Sequence, residues 1–458
     1  MGNLGCNNID SAMSYCYFFG AYSIGYSIKD CVNILHTPSG CQRRILYLWS
    51  MHDNSSNYRL TLATNIIDKD VIFGTESKLE QLVKDTISRY KPRMISIISS
   101  CAPEIIGMDY DIALSEIKNN ENTKILPINS AGFKGNFYDG FKNTLYELIK
   151  SLPNNLEKER DTVNIIGYFY SRYEDDEISN INELKRIVEG LGLKVNTIFM
   201  SGCEYEKLEK YSKSEYNILF PYGMECKDYL ENINKQKSIV CDMPIGIKGT
   251  IEFINKVAEE TNHKKEAKEF IEKELKRCIP KIEPTIHIMN GKKACIIADE
   301  QYLYGLLNYI LELGVEPRIV GCYNENCNIK DKVQKIIRQN TSLKYEPIII
   351  EKCTRENVKR IVKENYVDFC IGSSIEARDL EEIRIPIIEF AFPLFEKHYN
   401  FESPILGFNG ALNIDTIIYN VLNRYSMRRT EVKKKLESIK SDEYFLFKWI
   451  EKGGKENE

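Results

Sequence analysis

Fourteen cysteines in a chain of 458 residues are the first chemistry the sequence offers. Three stand close to glycine or proline in stretches that read as loops or helix starts. Cys16 lies in Tyr15-Cys16-Tyr17-Phe18-Phe19-Gly20-Ala21, Cys41 closes His36-Thr37-Pro38-Ser39-Gly40-Cys41, and Cys101 lies in Ser99-Ser100-Cys101-Ala102-Pro103-Glu104. Glycine and proline let a backbone turn sharply or approach closely, so thiolates on such loops can converge on an iron–sulfur cluster. The spacings, 25 and then 60 residues, are unlike the compact C-x-x-C runs of ferredoxins and zinc ribbons. For any single thiol, three roles stay open on residue type alone: buried hydrophobe, metal ligand or nucleophile. Cys295 and Cys370 sit inside apolar runs and are expected in the core; Cys31, after Asp30, reads as a packing residue on a helix. Cys322 and Cys327 have a loose metal-like spacing but no second pair nearby. His36 is expected to make a structural hydrogen bond beside the Cys41 loop.

Elements must bring these loops together. The apolar run Met94–Ser99 reads as a buried strand that delivers Cys101 at its C-terminal end, the edge where open α/β sheets place their ligands. Further strands are expected at 124–129, 163–168, 195–200, 217–221 and 238–242, then at 294–298, 317–321, 347–350, 369–372 and 386–390. Helical segments lie between them, including one opened by the turn Pro244–Thr250 and an amphipathic stretch from Asn262 to Arg277. Three successive β/α arrays predict an α/β fold of three doubly wound domains whose strand ends face a central cleft. The expected divisions are 1–155, 156–284 and 285–424, with 425–458 as a charged tail carrying Tyr444, Phe445, Phe447 and Trp449. Lys433-Lys434-Lys435 in that tail reads as a solvated face.

Composition narrows the function. A formal net charge of −4 gives no basic surplus for nucleic acid, and no apolar window is long enough to span a membrane. The N-terminal stretch has no basic-then-apolar pattern of a signal peptide, and the expected location is cytoplasmic. Disulfides are not expected there, and so many unprotected thiols fit an anaerobic host. Neither G-x-x-x-x-G-K-[ST] nor G-x-G-x-x-G follows any expected strand, so the chain is not expected to bind a nucleotide.

The flanks of the three cysteines resemble the nitrogenase component 1 family, which includes nitrogenase molybdenum–iron protein subunits, cofactor-assembly scaffolds and dark-operative protochlorophyllide reductase-like proteins. Cys16 with Gly20-Ala21 is similar to the family's first cysteine, and His36–Cys41 to its H-G-P-x-G-C, with Thr37 where glycine is usual. Ser100–Asp109 resembles its third cysteine loop. Gly132-Phe133-Lys134-Gly135, Ile245–Thr250, Phe392–Lys397 and Gly407–Ala411 follow in the family's order.

The resemblance implies three Rossmann-like domains and a [4Fe–4S] or larger fused cluster held by Cys16, Cys41 and Cys101. It implies a paired assembly with a second component 1 subunit, as a homo- or heterodimer or tetramer, and electrons from a separate ATP-hydrolysing iron protein. A fourth cubane ligand would come from the partner, from Cys6 or from Cys31. In nitrogenase a second cofactor is held by a cysteine and a histidine; here Pro221 stands at the cysteine position, leaving Cys226 and His398 as cleft candidates. The implied function is a nitrogenase-like iron–sulfur oxidoreductase acting on an unidentified substrate. The alternative is a non-catalytic scaffold that assembles and transfers a complex iron–sulfur cofactor.

Overall fold

Runs of β-branched and aliphatic residues, buried on both faces, need neighbours on both sides, and parallel sheets covered by helices provide them. The computed structural model describes residues 15–53, 59–118, 122–324, 328–340, 346–351 and 353–424. Its thirteen strands among these residues form three sheets, every pairing parallel. The first holds β1 (Cys31–His36), β2 (Thr61–Ala63), β3 (Met94–Ser99) and β4 (Lys124–Ile128) in the order β2-β1-β3-β4. The second holds β5 (Glu159–Ile166), β6 (Lys194–Ile198), β7 (Ser214–Leu219) and β8 (Lys237–Val240) in the order β6-β5-β7-β8. The third holds β9 (Lys293–Ala298), β10 (Glu316–Cys322), β11 (Ile348–Ile350), β12 (Phe369–Gly372) and β13 (Ile387–Glu389) in the order β11-β10-β9-β12-β13.

Each order is doubly wound: the chain leaves a central strand toward one edge, then returns to build the other side. In the first sheet this reversal falls between β1 and β3, which are paired from Cys31↔Met94 to His36↔Ser99. Ligands bind such sheets at the C-terminal end of the reversal. One large apolar core runs from Phe18 through Leu219 to Leu422, so the three sheets share their interior; smaller clusters fill the outer faces of the first and third.

Several elements differ from the sequence reading. β1 and β2 carry no clear pattern in the sequence, because β1 buries the polar Asn33 and His36 beside its aliphatics. Cys31 opens β1 rather than lying on a helix. The amphipathic segment runs as one 26-residue helix, Lys264–Met289, through Pro280 and Pro284, so the expected division at 284/285 falls inside it. Among the described residues, no helix is long and apolar enough to cross a membrane. Cys6, Cys327 and the tail from Tyr425 to Glu458 lie outside the described residues.

Candidate functional site

Two of the three cysteines, Cys41 and Cys101, lie on segments that leave the C-terminal edge of the first sheet, and the third reaches that edge from the helix before β1. After β1, Thr37-Pro38 leads into the helix Ser39–His52, with Cys41 in its first turn. Cys101 opens the short helix Cys101–Ile105 two residues after β3. Cys16 is the N-cap of the helix Tyr17–Tyr26 and bridges to Asn136, beyond the end of β4. This helix packs on Phe137–Ser151 backbone to backbone. A Cβ at Gly20 would lie 1.9 Å from the Phe137 carbonyl oxygen, and one at Gly140 would lie 2.1 Å from that of Tyr17. Only two facing glycines permit that approach, and it fixes Cys16 over the turn that follows β4.

That turn completes the site. The Gly132 amide donates to Cys101 Sγ at 3.2 Å. A Cβ on Gly132 would stand 3.3 Å from Cys16 Sγ and 3.5 Å from Cys101 Sγ, so two thiols from separate loops face one bare strip of backbone. Cys41 is exposed, with open space beside Gly40. Burial pushes the Cys16 thiol above its ordinary pKa, opposed by the Phe19 and Phe18 amides and by Arg44, and charge on Cys41 adds to the rise. Among the described residues, no three His, Cys, Asp or Glu side chains form a group that would hold a metal ion. Two thiols thus meet at a bare glycine, with the third on the loop that follows the neighbouring strand; widely spaced thiolate donors of this kind are the ligand type of iron–sulfur clusters.

Supporting residues join the loops. Glu104 accepts from Ser99 Oγ at 2.7 Å and from the Ala131 amide at 2.8 Å, and pairs with Lys134 Nζ at 2.6 Å. Tyr15, beside Cys16, bonds through its hydroxyl to His52 Nε2 at 2.7 Å; His52 Nδ1 lies 2.9 Å from the Leu394 carbonyl oxygen. The carbonyl requires a proton on Nδ1, so Nε2 accepts and Tyr15 donates. Burial and the charge of Arg172 hold His52 neutral, with its pKa down to about 3. His36 bonds Thr64 Oγ1 and Thr75 Oγ1, and burial lowers its pKa to about 4. It braces the loop, as expected from the sequence. Hydrogen-bonding roles between distant segments, such as those of Glu104, Tyr15 and His52, leave no local pattern in the sequence.

Cys31 takes no part. It lies 3% exposed at the start of β1, while Cys101 follows the far end of the paired β3, about 16 Å away along strands rising about 3.3 Å per residue. Burial pushes its pKa up to about 12.

The expected central cleft is a packed junction. Phe137 stacks on Phe392 at 5.0 Å, and Phe392 meets Phe169 edge-on at 4.9 Å. The fully buried Arg172 pairs with Asp176 at 2.5 Å and donates to the Lys397 carbonyl at 2.8 Å. Between the second and third sheets a cavity of ≈ 20 Å³ remains, room for about one water, with Phe169, Glu177, Tyr302 and Phe392 in its walls. Cys226 and His398 do not line it. Cys226 is buried at 1% exposure, and His398 Nδ1 pairs with Glu174 at 2.6 Å. The structure does not bring these two candidates into one site, and Pro221 offers no donor atom.

Residues 16–423 match the family described as nitrogenase component 1 type oxidoreductase. Among curated relatives, the chain is 24% identical over 404 residues to the nitrogenase molybdenum-iron protein beta chain of Nostoc sp., covering 82% of this chain and 77% of that one. It is 23% identical over 437 residues to the nitrogenase iron-iron protein beta chain of Rhodobacter capsulatus, covering 89% and 92%. It is also 23% identical over 369 residues to the nitrogenase iron-molybdenum cofactor biosynthesis protein NifE of Clostridium pasteurianum, covering 78% and 77%. The fold is that of the solved structure of nitrogenase Cp1 at pH 6.5, with a TM-score of 0.81 at 21% identity over 91% of this chain and 93% of that one.

Proposed function

The chain belongs to the nitrogenase component 1 type oxidoreductase family, and from that membership we propose that it is a nitrogenase-like component 1 subunit whose Cys16, Cys41 and Cys101 hold an iron–sulfur cluster, [4Fe–4S] or larger. The observation that supports this reading is the meeting of Cys16 and Cys101 at bare Gly132, with Cys41 on the loop that leaves the adjacent strand β1. Such a cluster supplies low-potential one-electron chemistry when bound. The chain's own residues bind and shape the site. Thiolates hold the iron, the Gly132 amide donates to the Cys101 sulfur, and the aromatic junction behind Cys16 excludes water.

The site is open at Cys41, and exposed hydrophobics are concentrated in the segments at that end of the sheet. Nine of the sixteen large hydrophobics exposed among the described residues lie in segments leaving the C-terminal ends of the first sheet's strands, Tyr47, Ile72, Phe73, Ile105, Ile112 and Phe133 among them. A surface of that kind fits a protein partner. The partner is a second component 1 subunit that covers the cluster, while electrons come from an ATP-hydrolysing iron protein and pass to a substrate not yet identified. The working location is the cytoplasm, and the domain divisions stay near 155 and 424, with the helix Lys264–Met289 joining the second and third domains across 284.

Residues of the second and third sheets do not fit a second multi-iron cofactor of the nitrogenase type. Pro221 has no donor, Cys226 is sealed in the core, His398 is taken by Glu174, and the cavity holds about one water. This observation, with the likeness to a cofactor biosynthesis protein, favours a second reading: a scaffold that houses and transfers an iron–sulfur cofactor.

Protein purified without oxygen should contain iron and sulfide and give a cluster EPR signal that changes when an iron protein and MgATP are added. A colourless, iron-free protein would reject both readings. An iron-loaded protein whose spectrum ignores the iron protein, but which transfers iron to a receiving apo-protein, selects the scaffold.

A further inference from the structure

Glu104 is held more tightly than a short helix needs. Its side chain is 11% exposed, and both carboxylate oxygens are engaged. Oε1 accepts from Ser99 Oγ at 2.7 Å and from the Ala131 amide at 2.8 Å, and Oε2 pairs with Lys134 Nζ at 2.6 Å. Lys134 Nζ also donates to the Asn129 carbonyl at 3.0 Å, so the ion pair belongs to the turn itself. The amide of the next residue, Gly132, donates to Cys101 Sγ.

Two consecutive amides of one turn therefore bond to two side chains, at i and i+3, of the facing helix. Consecutive peptides are linked by planar units, so fixing the Ala131 amide restricts where the Gly132 amide can point. A carboxylate bond to an amide is short and directional, whereas a sulfur acceptor is weak, so the first can hold the second in place.

We infer that Glu104 is a positioning residue for the cluster: its Oε1 clamps the Ala131–Gly132 backbone so that the Gly132 amide donates to the Cys101 sulfur and raises the cluster's reduction potential. This rests on the reading of Cys101 as a ligand. The direction follows from charge, since a donor to sulfur favours the more negative, reduced cluster.

The test uses the anaerobically purified, cluster-loaded full chain, with midpoint potential and EPR line shape as readouts. Glu104→Ala removes the clamp and should give a more negative potential and a changed line shape at wild-type iron content. Glu104→Gln keeps an oxygen that accepts from Ser99 and Ala131 and should retain the wild-type line shape without the fall in potential. If the alanine variant fails to fold, Glu104→Asp draws the carboxylate back from Ala131 while keeping its charge, and should show the same fall. An alanine variant with wild-type potential and line shape overturns the inference. Equal shifts in the alanine and glutamine variants overturn it too, by assigning the effect to charge. Wild-type protein without iron instead rejects the cluster reading itself, which separates the two failures.

Discussion

Replacing Gly20 by alanine should unseat Cys16 and cost the protein its iron. The added methyl would lie 1.9 Å from the Phe137 carbonyl oxygen, where carbon never approaches closer than about 3 Å, so the two helices must part by about 1 Å. A gap of that size forfeits a quarter to a half of each dispersion contact across the interface, where Phe19, Phe137 and Phe141 are all at most 3% exposed. Overpacking of a tight core of this kind costs about 3 kcal/mol. Cys16 caps one of the two helices and Asn136 the other, so the same movement shifts Cys16 away from Gly132 and Cys101. The assay pairs a urea denaturation midpoint with iron content and EPR on protein purified without oxygen. Gly40→Ala is the control, because nothing lies within 4 Å of a Cβ there; it should leave stability and iron unchanged. Wild-type iron and stability in the Gly20→Ala protein would refute the helix contact as the device that places Cys16.

Substituting Cys16, Cys41 or Cys101 by alanine should each lower bound iron and alter the EPR signal, whereas Cys31→Ala should keep both and lose only about 1 kcal/mol of packing; equal iron loss in the Cys31 variant would reject the edge assignment. Tyr15→Phe leaves His52 Nε2 buried without a donor and should lower stability by about 1–3 kcal/mol, read from the same denaturation curves. His52 carries a pH signature: its folded pKa of about 3 lies below the unfolded 6.5, so the unfolded chain takes up the proton first as pH falls. Its contribution is complete well above pH 6.5 and fades as pH falls through it, so between pH 6.5 and pH 4.5 wild type should lose about 2 kcal/mol relative to His52→Asn. A constant difference between the two proteins across that range would mean that His52 is not held neutral.

The sequence by itself determined the class of fold and singled out the candidate donors. Apolar runs such as Met94–Ser99 and Ala294–Ala298 lie fully buried in central parallel strands, because a strand covered on both faces needs no polar alternation. The turn at Pro244–Thr250 opens the helix Gly246–Thr261 as read. Cysteines beside glycine and proline marked Cys16, Cys41 and Cys101, since those residue types announce loops whatever lies around them. β1 was illegible, because Asn33 and His36 interrupt its apolar run and only neighbours remote in sequence make their burial tolerable. Strand order decided the rest. Cys41 and Cys101 share an edge because β1 lies beside β3, and that same pairing sends Cys31 to the opposite edge. The filling of the central junction by Phe137, Phe169 and Phe392, and the closing of Glu104 on Ala131, join residues 27 to 255 positions apart. A contact between segments that far apart is fixed by the packing of whole elements, and the residues around each partner carry no trace of it.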